Sequence, residues 1–298
     1  MRNVVVGASG APEAEAALVF AVDEALRRRL PLLVVHAYPV PSYGDVPAAL
    51  FPGQIRQRRE SGLREANAAL ARARERVPGG ATVQATVMVL EGDPTPCLLS
   101  VADSAALLVV GSGGEGSLTR ALKGSVAASC LHRSLAPVAV VPNDVPAVPD
   151  RWLRSRVVVG LDGSPSSLTA LSWGVAQARE WGAPLMPVVV SDRQDRPPVD
   201  LRPDLTAQVW AQVMDAGGSD LEVHPRFLHG EAKDRLVQVL EPADLLVLGS
   251  RGLGGLAGAL RGATSSPVAL SAPCTTVVVR EGQARREIHQ RRAQPLLH

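Results

Sequence analysis

The sequence predicts an α/β fold built twice: two tandem, doubly wound α/β sandwich domains, each with a five-stranded, mostly parallel sheet. Three observations predict it. Short runs of Val and Leu recur without polar alternation, as strands covered on both faces do. Stretches that are apolar at helical spacing separate those runs. The chain also repeats itself: "VVVGASGAP" (Val4–Pro12) aligns without a gap on "VVVGLDGSP" (Val157–Pro165), 153 residues later. "PLLVVHA" (Pro31–Ala37) and "PLMPVVV" (Pro184–Val190) keep that offset. Two glycine-rich loops, "GSGGEGSLTRALKGS" (Gly111–Ser125) and "GSRGLGGLAGALRGA" (Gly249–Ala263), align 138 residues apart with eight identities in fifteen positions.

The first half opens with a Val run, Asn3–Gly7, that reads as a strand ending in glycine. A helix over Glu13–Arg29 follows, then the aliphatic strand Leu32–Ala37. Gln54–Val77 is the second helix, Val83–Glu91 the third strand and Pro94–Ser104 the third helix. Strand Leu107–Gly111 leads into the glycine loop, helix Ser125–Ser134 leaves it, and Val138–Val141 is the last strand. In the second half strands are expected at Arg156–Gly160, Leu185–Val190, Glu222–His229, Leu245–Gly249 and Thr276–Val279, with a helix over Ser166–Trp181. The offset falls by 15 between the halves, so the first has the longer middle. The extra length is assigned to the Pro- and Tyr-containing segment Tyr38–Gln54. Domains are expected at Met1–Pro142 and Arg154–Arg280. The Pro-containing linker Asn143–Leu153 joins them, and a basic tail, Glu281–His298, is read as a solvated extension.

Composition supports a packed protein: 298 residues, enough for two domains, with 46% hydrophobic and 20% charged. Aromatics are 3%, so the core is aliphatic. A net charge of +2 gives no footprint for nucleic acid or an anionic membrane. Cys97, Cys130 and Cys274 form no CxxC or zinc pattern and read as buried, reduced thiols. No signal-peptide pattern and no apolar run of the ~18 residues that span a bilayer is seen. The chain reads as soluble and cytoplasmic.

Several nucleotide loops compete for Gly111–Ser125. "GSGGEG" fits the dinucleotide pattern G-x-G-x-x-G, but the second copy does not repeat it in phase. It also follows a late strand, and the nearest acidic residue for a ribose, Asp144, lies beyond Pro142. "SGGEGS" suggests an ATP-pyrophosphatase loop, yet Gly116 stands where that loop wants Asp. No Walker A sequence occurs. What both copies share is a spacing: Gly111, Gly114 and Gly124 followed by Ser125, and Gly249, Gly252 and Gly262 followed by Ala263. Glycine lets backbone approach an anion, and the loop returns the chain to a helix start whose free N–H groups favour phosphate. Ser125 offers a hydroxyl there, with Val126 next to it. Lys123 and Arg261 occupy equivalent places just before the last glycine and can screen phosphate charge, and Arg251 is a further candidate on the second loop. A solvated loop base is the plain alternative for such a cation.

This spacing, with "VVVGLDGSP" and the block "HGEAKDRLVQVLEPADLLVLGSRG" (His229–Gly252), resembles the universal stress protein family, twice over and along nearly the whole chain. The resemblance implies an α/β sandwich that binds ATP, with Mg beside it, in many members and binds no nucleotide in others. It implies partners of two kinds: an adenine nucleotide, and a homodimer or intramolecular pairing of domains through the last strands, Val138–Val141 and Thr276–Val279. An Asp after the first strand contacts the adenosine in the family pattern. Asp162 matches it, and Ser9 stands in its place in the first half. The family's second-strand backbone contact to adenine falls by alignment at Val35 and Val188. At the phosphate end the first half keeps Ser125. The second has Ala263, where Thr264 supplies a hydroxyl if its helix starts one residue later, a shift that Pro267 favours.

Other polar residues take plain readings. His36 is a packed or rim histidine, and His132, His224 and His229 have no metal-ligand spacing. Asp103 and Asp244 precede strands and cap or face solvent. Trp152, Trp173, Trp181 and Trp210 pack in the core or at an interface. No general base or arginine finger for fast hydrolysis is evident. The leading expectation is an ATP-binding, nucleotide-dependent stress regulator. A nucleotide-free scaffold of the same fold and a slow ATP hydrolase stay open beside it.

Overall fold

The computed structural model describes residues 2–9, 14–39, 52–113, 125–143, 156–191, 203–250 and 265–281. The chain divides into two units, Met1–Pro149 and Asp150–His298. Unit one contains β1 (Val4–Gly7), α1 (Glu15–Arg28), β2 (Leu32–Tyr38), α2 (Pro52–Arg76), β3 (Ala85–Glu91), α3 (Pro94–Ala102), β4 (Leu107–Gly111), α4 (Ser125–Arg133) and β5 (Val138–Val141). Its strands lie in the order β3-β2-β1-β4-β5, with every neighbouring pair parallel. Val4, Val5, Val6, Leu107, Leu108 and Val109 have no exposed surface. That is why these strands read as unbroken apolar runs: helices cover both faces.

The helix ends follow local chemistry. Asp93 caps α3 by accepting the Thr95 N–H at 2.9 Å, with Pro94 in the first turn. Serine before a proline does the same for α5 in unit two. Helix α1 carries Glu15 in its first turn and Arg27 and Arg28 in its last, matching the helix dipole. It stops at Arg29, the one non-glycine residue at positive φ among those described (φ 52°).

Unit two contains β6 (Val157–Leu161), α5 (Pro165–Trp181), β7 (Leu185–Ser191), α6 (Pro203–Asp215), β8 (Arg226–His229), α7 (Ala232–Val239), β9 (Leu245–Gly249), α8 (Ser265–Ser271) and β10 (Thr275–Val279). Its order, β10-β9-β6-β7-β8, repeats that of unit one, and its pairings are parallel. The eighth strand is shorter than the expected Glu222–His229. Val223 bridges Leu185, but the ladder resumes only at the Val188–Arg226 pair. That register turns Pro187 towards His224, where it has no N–H to donate to the carbonyl of that rung.

The longer middle of the first half lies elsewhere than expected. Helix α2 has 25 residues and α6 has 13. The twelve extra residues are helical turns at the amino end of α2, so Tyr38–Gln54 accounts for little of the offset. Asp244 caps a turn, as read, by accepting the Glu241 N–H at 2.9 Å, but it does not face solvent. It is 1% exposed, and its two carboxylate oxygens accept from Arg156 Nε at 3.1 Å and Nη2 at 2.6 Å. Asp103 is exposed at the end of α3, as read. Trp173 is a core residue, whereas Trp210 is 37% exposed.

All three cysteines are free and buried. Burial pushes the Cys130 thiol up to about 11. A thiol reagent at pH 8 is therefore expected to leave Cys130 unmodified in the native protein and to modify it in urea. The raised value favours the folded state at pH below about 9, the ordinary thiol range. That contribution is lost as pH climbs towards 11, and mass spectrometry of the labelled peptide across this range checks it.

Candidate functional site

In both units the strand order reverses at the first strand. β1 lies between β2 and β4, and β6 lies between β7 and β9. The crossovers on either side run away from each other there, leaving a crevice at the carboxyl ends of the strands. Residues at those ends are the ones to inspect.

In unit one, Ser9 follows two residues after β1 and is exposed. Ala8 N–H donates to the Val35 carbonyl at 2.8 Å, and Val35 is 1% exposed. The backbone of Val35 is thus engaged in the β1–β2 ladder and faces no ligand, contrary to the alignment. The last β1 pairing is Gly7 with Val35. Alternate residues of a strand direct their N–H and C=O to the same side. Ala37 therefore directs its backbone where Val35 does, beyond the end of β1. Unit two repeats this: Val188 is paired with Gly160 and fully buried, and the last β6 pairing is Leu161 with Val189. Val190 takes the place of Ala37. The structure moves the open backbone edge two residues along each strand.

Asp162 follows β6 directly and is exposed. One carboxylate oxygen accepts the Ser164 N–H at 3.0 Å, across Gly163 at φ +79°. Ser164 then caps α5 by accepting from Ser167 N–H at 3.2 Å. This turn packs on the end of β9. A Cβ added at Gly249 would lie 2.6 Å from the Ser166 carbonyl carbon and 2.7 Å from its oxygen. Gly249 is glycine because the first turn of α5 occupies the space of a side chain. Anion approach, the reason read from sequence, is not what requires it. The same contact brings Gly249 and the Asp162 turn together, although they are far apart in sequence.

The exits into the two glycine loops match. Ser112 N–H donates to Val141 C=O at 2.9 Å, and Ser250 N–H donates to Val279 C=O at 2.8 Å. In unit one the chain then turns through Gly113 at φ +93°, whose carbonyl accepts from Asn143 Nδ2 at 2.6 Å. Sequence reasoning passed over Gly113 and Asn143 because the shared spacing skips the first and the linker reading claimed the second. Gly111 is the last residue of β4. Ser125 opens α4, with half-buried Val126 next. Helix α8 opens at Ser265, two residues beyond the position equivalent to Ser125. Thr264, on which the expected shift of one residue rests, lies outside the described residues. So do Gly114, Lys123, Gly124, Arg251, Gly252, Arg261, Gly262 and Ala263.

His36 is 8% exposed and packs under α2. A Cβ at Gly62 would come within 2.6 Å of its ring. It is a packed histidine, as read. Among the described residues no group of three His, Cys, Asp or Glu is placed to hold a metal. No helix among them is long and apolar enough to cross a membrane.

These features define a class: a doubly wound, parallel α/β domain with a strand-end crevice, present twice in one chain. A sequence profile of the universal stress protein family matches residues 1–142 and 154–280. The chain belongs to the universal stress protein family. Universal stress protein Rv2005c of Mycobacterium tuberculosis is 31% identical over 293 residues, which cover 94% of this chain and 97% of that one. A crystal structure of a universal stress protein from Archaeoglobus fulgidus is similar over 95% of this chain and 100% of its own, with a TM-score of 0.69 at 19% identity. A universal stress protein crystallised in complex with cAMP is 28% identical and covers 47% of this chain and 96% of its own, with a TM-score of 0.36.

Proposed function

We propose that this chain is an ATP-binding universal stress protein of the cytoplasm, acting as a nucleotide-dependent regulator in the stress response. One observation carries the reading. In each unit the switch-point crevice gathers an unladdered backbone edge, a polar residue after the first strand and the exit into the glycine loop. The members are Ala37, Ser9 and Gly111 in unit one, and Val190, Asp162 and Gly249 in unit two. Backbone N–H and C=O on one strand edge suit a purine, which offers a donor and an acceptor side by side. The start of α4 at Ser125 and Thr264 before α8 suit the phosphates. Lys123 and Arg261, with Arg251, would screen their charge. Mg2+ would arrive with the nucleotide, held by its phosphates rather than by a protein cage. ATP would then bias the order of the loops or the pairing of domains, through the edge strands β5 and β10 or in a homodimer.

The units are expected to bind unequally. Asp162→Ala removes an ionised acceptor, worth about 1.5–3 kcal/mol, so ATP affinity of unit two should fall at least about tenfold. Ser9→Asp should raise that of unit one. Calorimetry on nucleotide-free protein measures both. No heat at millimolar ATP, with no nucleotide released when the purified protein is heat-denatured, would sink the proposal. The nucleotide-free scaffold would then stand, a reading that Ser9 and Ala263 already favour.

A further inference from the structure

At one edge of its sheet unit one ends in β3, and unit two ends in β8. β8 is guarded as natural edges are. It has four residues, Arg226 and His229 on it are exposed, and Pro225 precedes it. β3 has seven residues, Ala85–Glu91, with no Pro, Lys or Arg among them. Its apolar residues are half-buried along its whole length. A Cβ added at Gly62 of α2 would lie 3.4 Å from Val89, so α2 covers the face that carries Val87 and Val89. Thr86, Met88 and Leu90 are on the other face. A long, apolar, unguarded edge is a template for another strand.

The ladder to β2 fixes which backbone groups of β3 are free. Leu32 N–H donates to the Gln84 C=O at 2.8 Å, and Gly92 N–H donates to the Tyr38 C=O at 2.9 Å. The even-numbered residues of β3 therefore bond β2, and Ala85, Val87, Val89 and Glu91 direct N–H and C=O outward. At β8, His224 N–H bonds the Leu185 C=O and Gly230 N–H bonds the Ser191 C=O. Pro225 is thereby turned outward, where it has no N–H to give.

The ends and the flank of β3 are complementary to themselves. Glu91 is exposed at the carboxyl end, beside Tyr38 and Arg59. At the amino end Arg74 of α2 donates through Nη2 to the Val83 C=O, which the same alternation directs outward. Arg74 has no carboxylate partner among the described residues, and its buried Nε has no hydrogen-bond partner. Arg72 and Arg76 pair with Glu15 of α1 and mark the flank of α2 nearest α1. Leu63, nine residues before Arg72, is about half a turn round the helix. It is 43% exposed, on the flank that looks out beyond β3.

We propose that β3 of one copy pairs antiparallel with β3 of a second copy of this chain, centred on Met88. Ala85 then lies opposite the partner's Glu91, and Val87 opposite the partner's Val89. All are outward-facing residues, so these are hydrogen-bonded pairs, and the two-fold axis gives about eight backbone bonds. Each Glu91 comes to the end of β3 where Arg74 stands, while the two Glu91 carboxylates stay about 20 Å apart. The exposed Leu63 flanks are brought side by side. One chain has a single β3, so the matching edge belongs to another copy. The pair leaves neither edge free, and the assembly closes.

The test is sedimentation equilibrium of the full chain across the micromolar range. A concentration-dependent dimer is expected. Met88→Lys and Met88→Glu, each alone, set like charges face to face on the axis and should raise the dissociation constant at least about tenfold. An equimolar mixture of the two variants should regain the dimer, which requires Met88 to face its own copy. Glu91→Lys turns the contact with Arg74 into repulsion and should weaken the dimer too. Glu91 is exposed, so this variant carries the test alone should a Met88 variant fail to fold. An unchanged urea midpoint, measured where wild type is monomeric, will show which variants fold. A monomer at every concentration overturns the proposal. So does a dimer that all three substitutions leave unchanged, as pairing through β5 or β10 would be. Loss of the dimer in both Met88 variants with no recovery in the mixture overturns it as well, because β3 then faces a different strand.

Discussion

Gly249→Ala is expected to destabilise unit two by about 1–3 kcal/mol, the usual cost of forcing atoms into a filled space. The atoms a methyl group would strike belong to the Ser166 backbone, 2.6 and 2.7 Å away. A side chain can rotate aside, but the backbone of a capped first turn can relax only if the helix moves. That turn holds Asp162 through the Ser164 N–H, so displacement reaches the adenosine end of the proposed site. Urea denaturation should show an early transition assignable to unit two. Calorimetry should show weaker ATP binding at the same site, with unit one unchanged. Equal stability in wild type and variant would mean that α5 packs less closely on β9 than the structure has it.

Asp244→Ala is expected to cost about 3 kcal/mol, the low end for breaking a buried ion pair. The Asp244 side chain is fully buried and that of Arg156 is 25% exposed, so the abandoned guanidinium can still recover some hydration. Its hydrogen bonds to Asp244 hold the Arg156 pKa above the ordinary value. Asp244 also accepts the Glu241 N–H at 2.9 Å, so the substitution loosens the turn before β9 as well. Asp244→Asn keeps an acceptor for that N–H and should recover part of the loss. The shift in urea midpoint measures both, with the slope of the transition as the check that unfolding stays cooperative.

Most of the fold was legible in the sequence because its signals are local. Unbroken valine runs, the Asp93–Pro94 and Ser164–Pro165 helix starts and the internal repeat each fix an element without reference to the others. The errors arose where distant residues meet. Pro187 removes a rung of the β7–β8 ladder only because register turns it towards His224, and a proline in that run does not by itself forbid a strand. The ion pair of Asp244 could not be read from sequence because its partner, Arg156, lies 88 positions away. The site divides the same way. Asp162, Gly249 and Ser125 could be found by residue type. The backbone edge of Ala37 could not, because it depends on where β1 stops relative to β2, and side chains carry no trace of that.

The extra turns of α2 have a consequence for how two copies of one domain can drift apart. They are added where the helix begins, on the side of the sheet away from the start of β3, so no residue downstream changes register. Lengthening a connection at such a point costs little closure entropy, since the cost grows only slowly with length. The amino end of a crossover helix is thus a free margin of the domain. One half of a duplicated chain can acquire a new outer surface there while the frame of its crevice stays as it was in the other half.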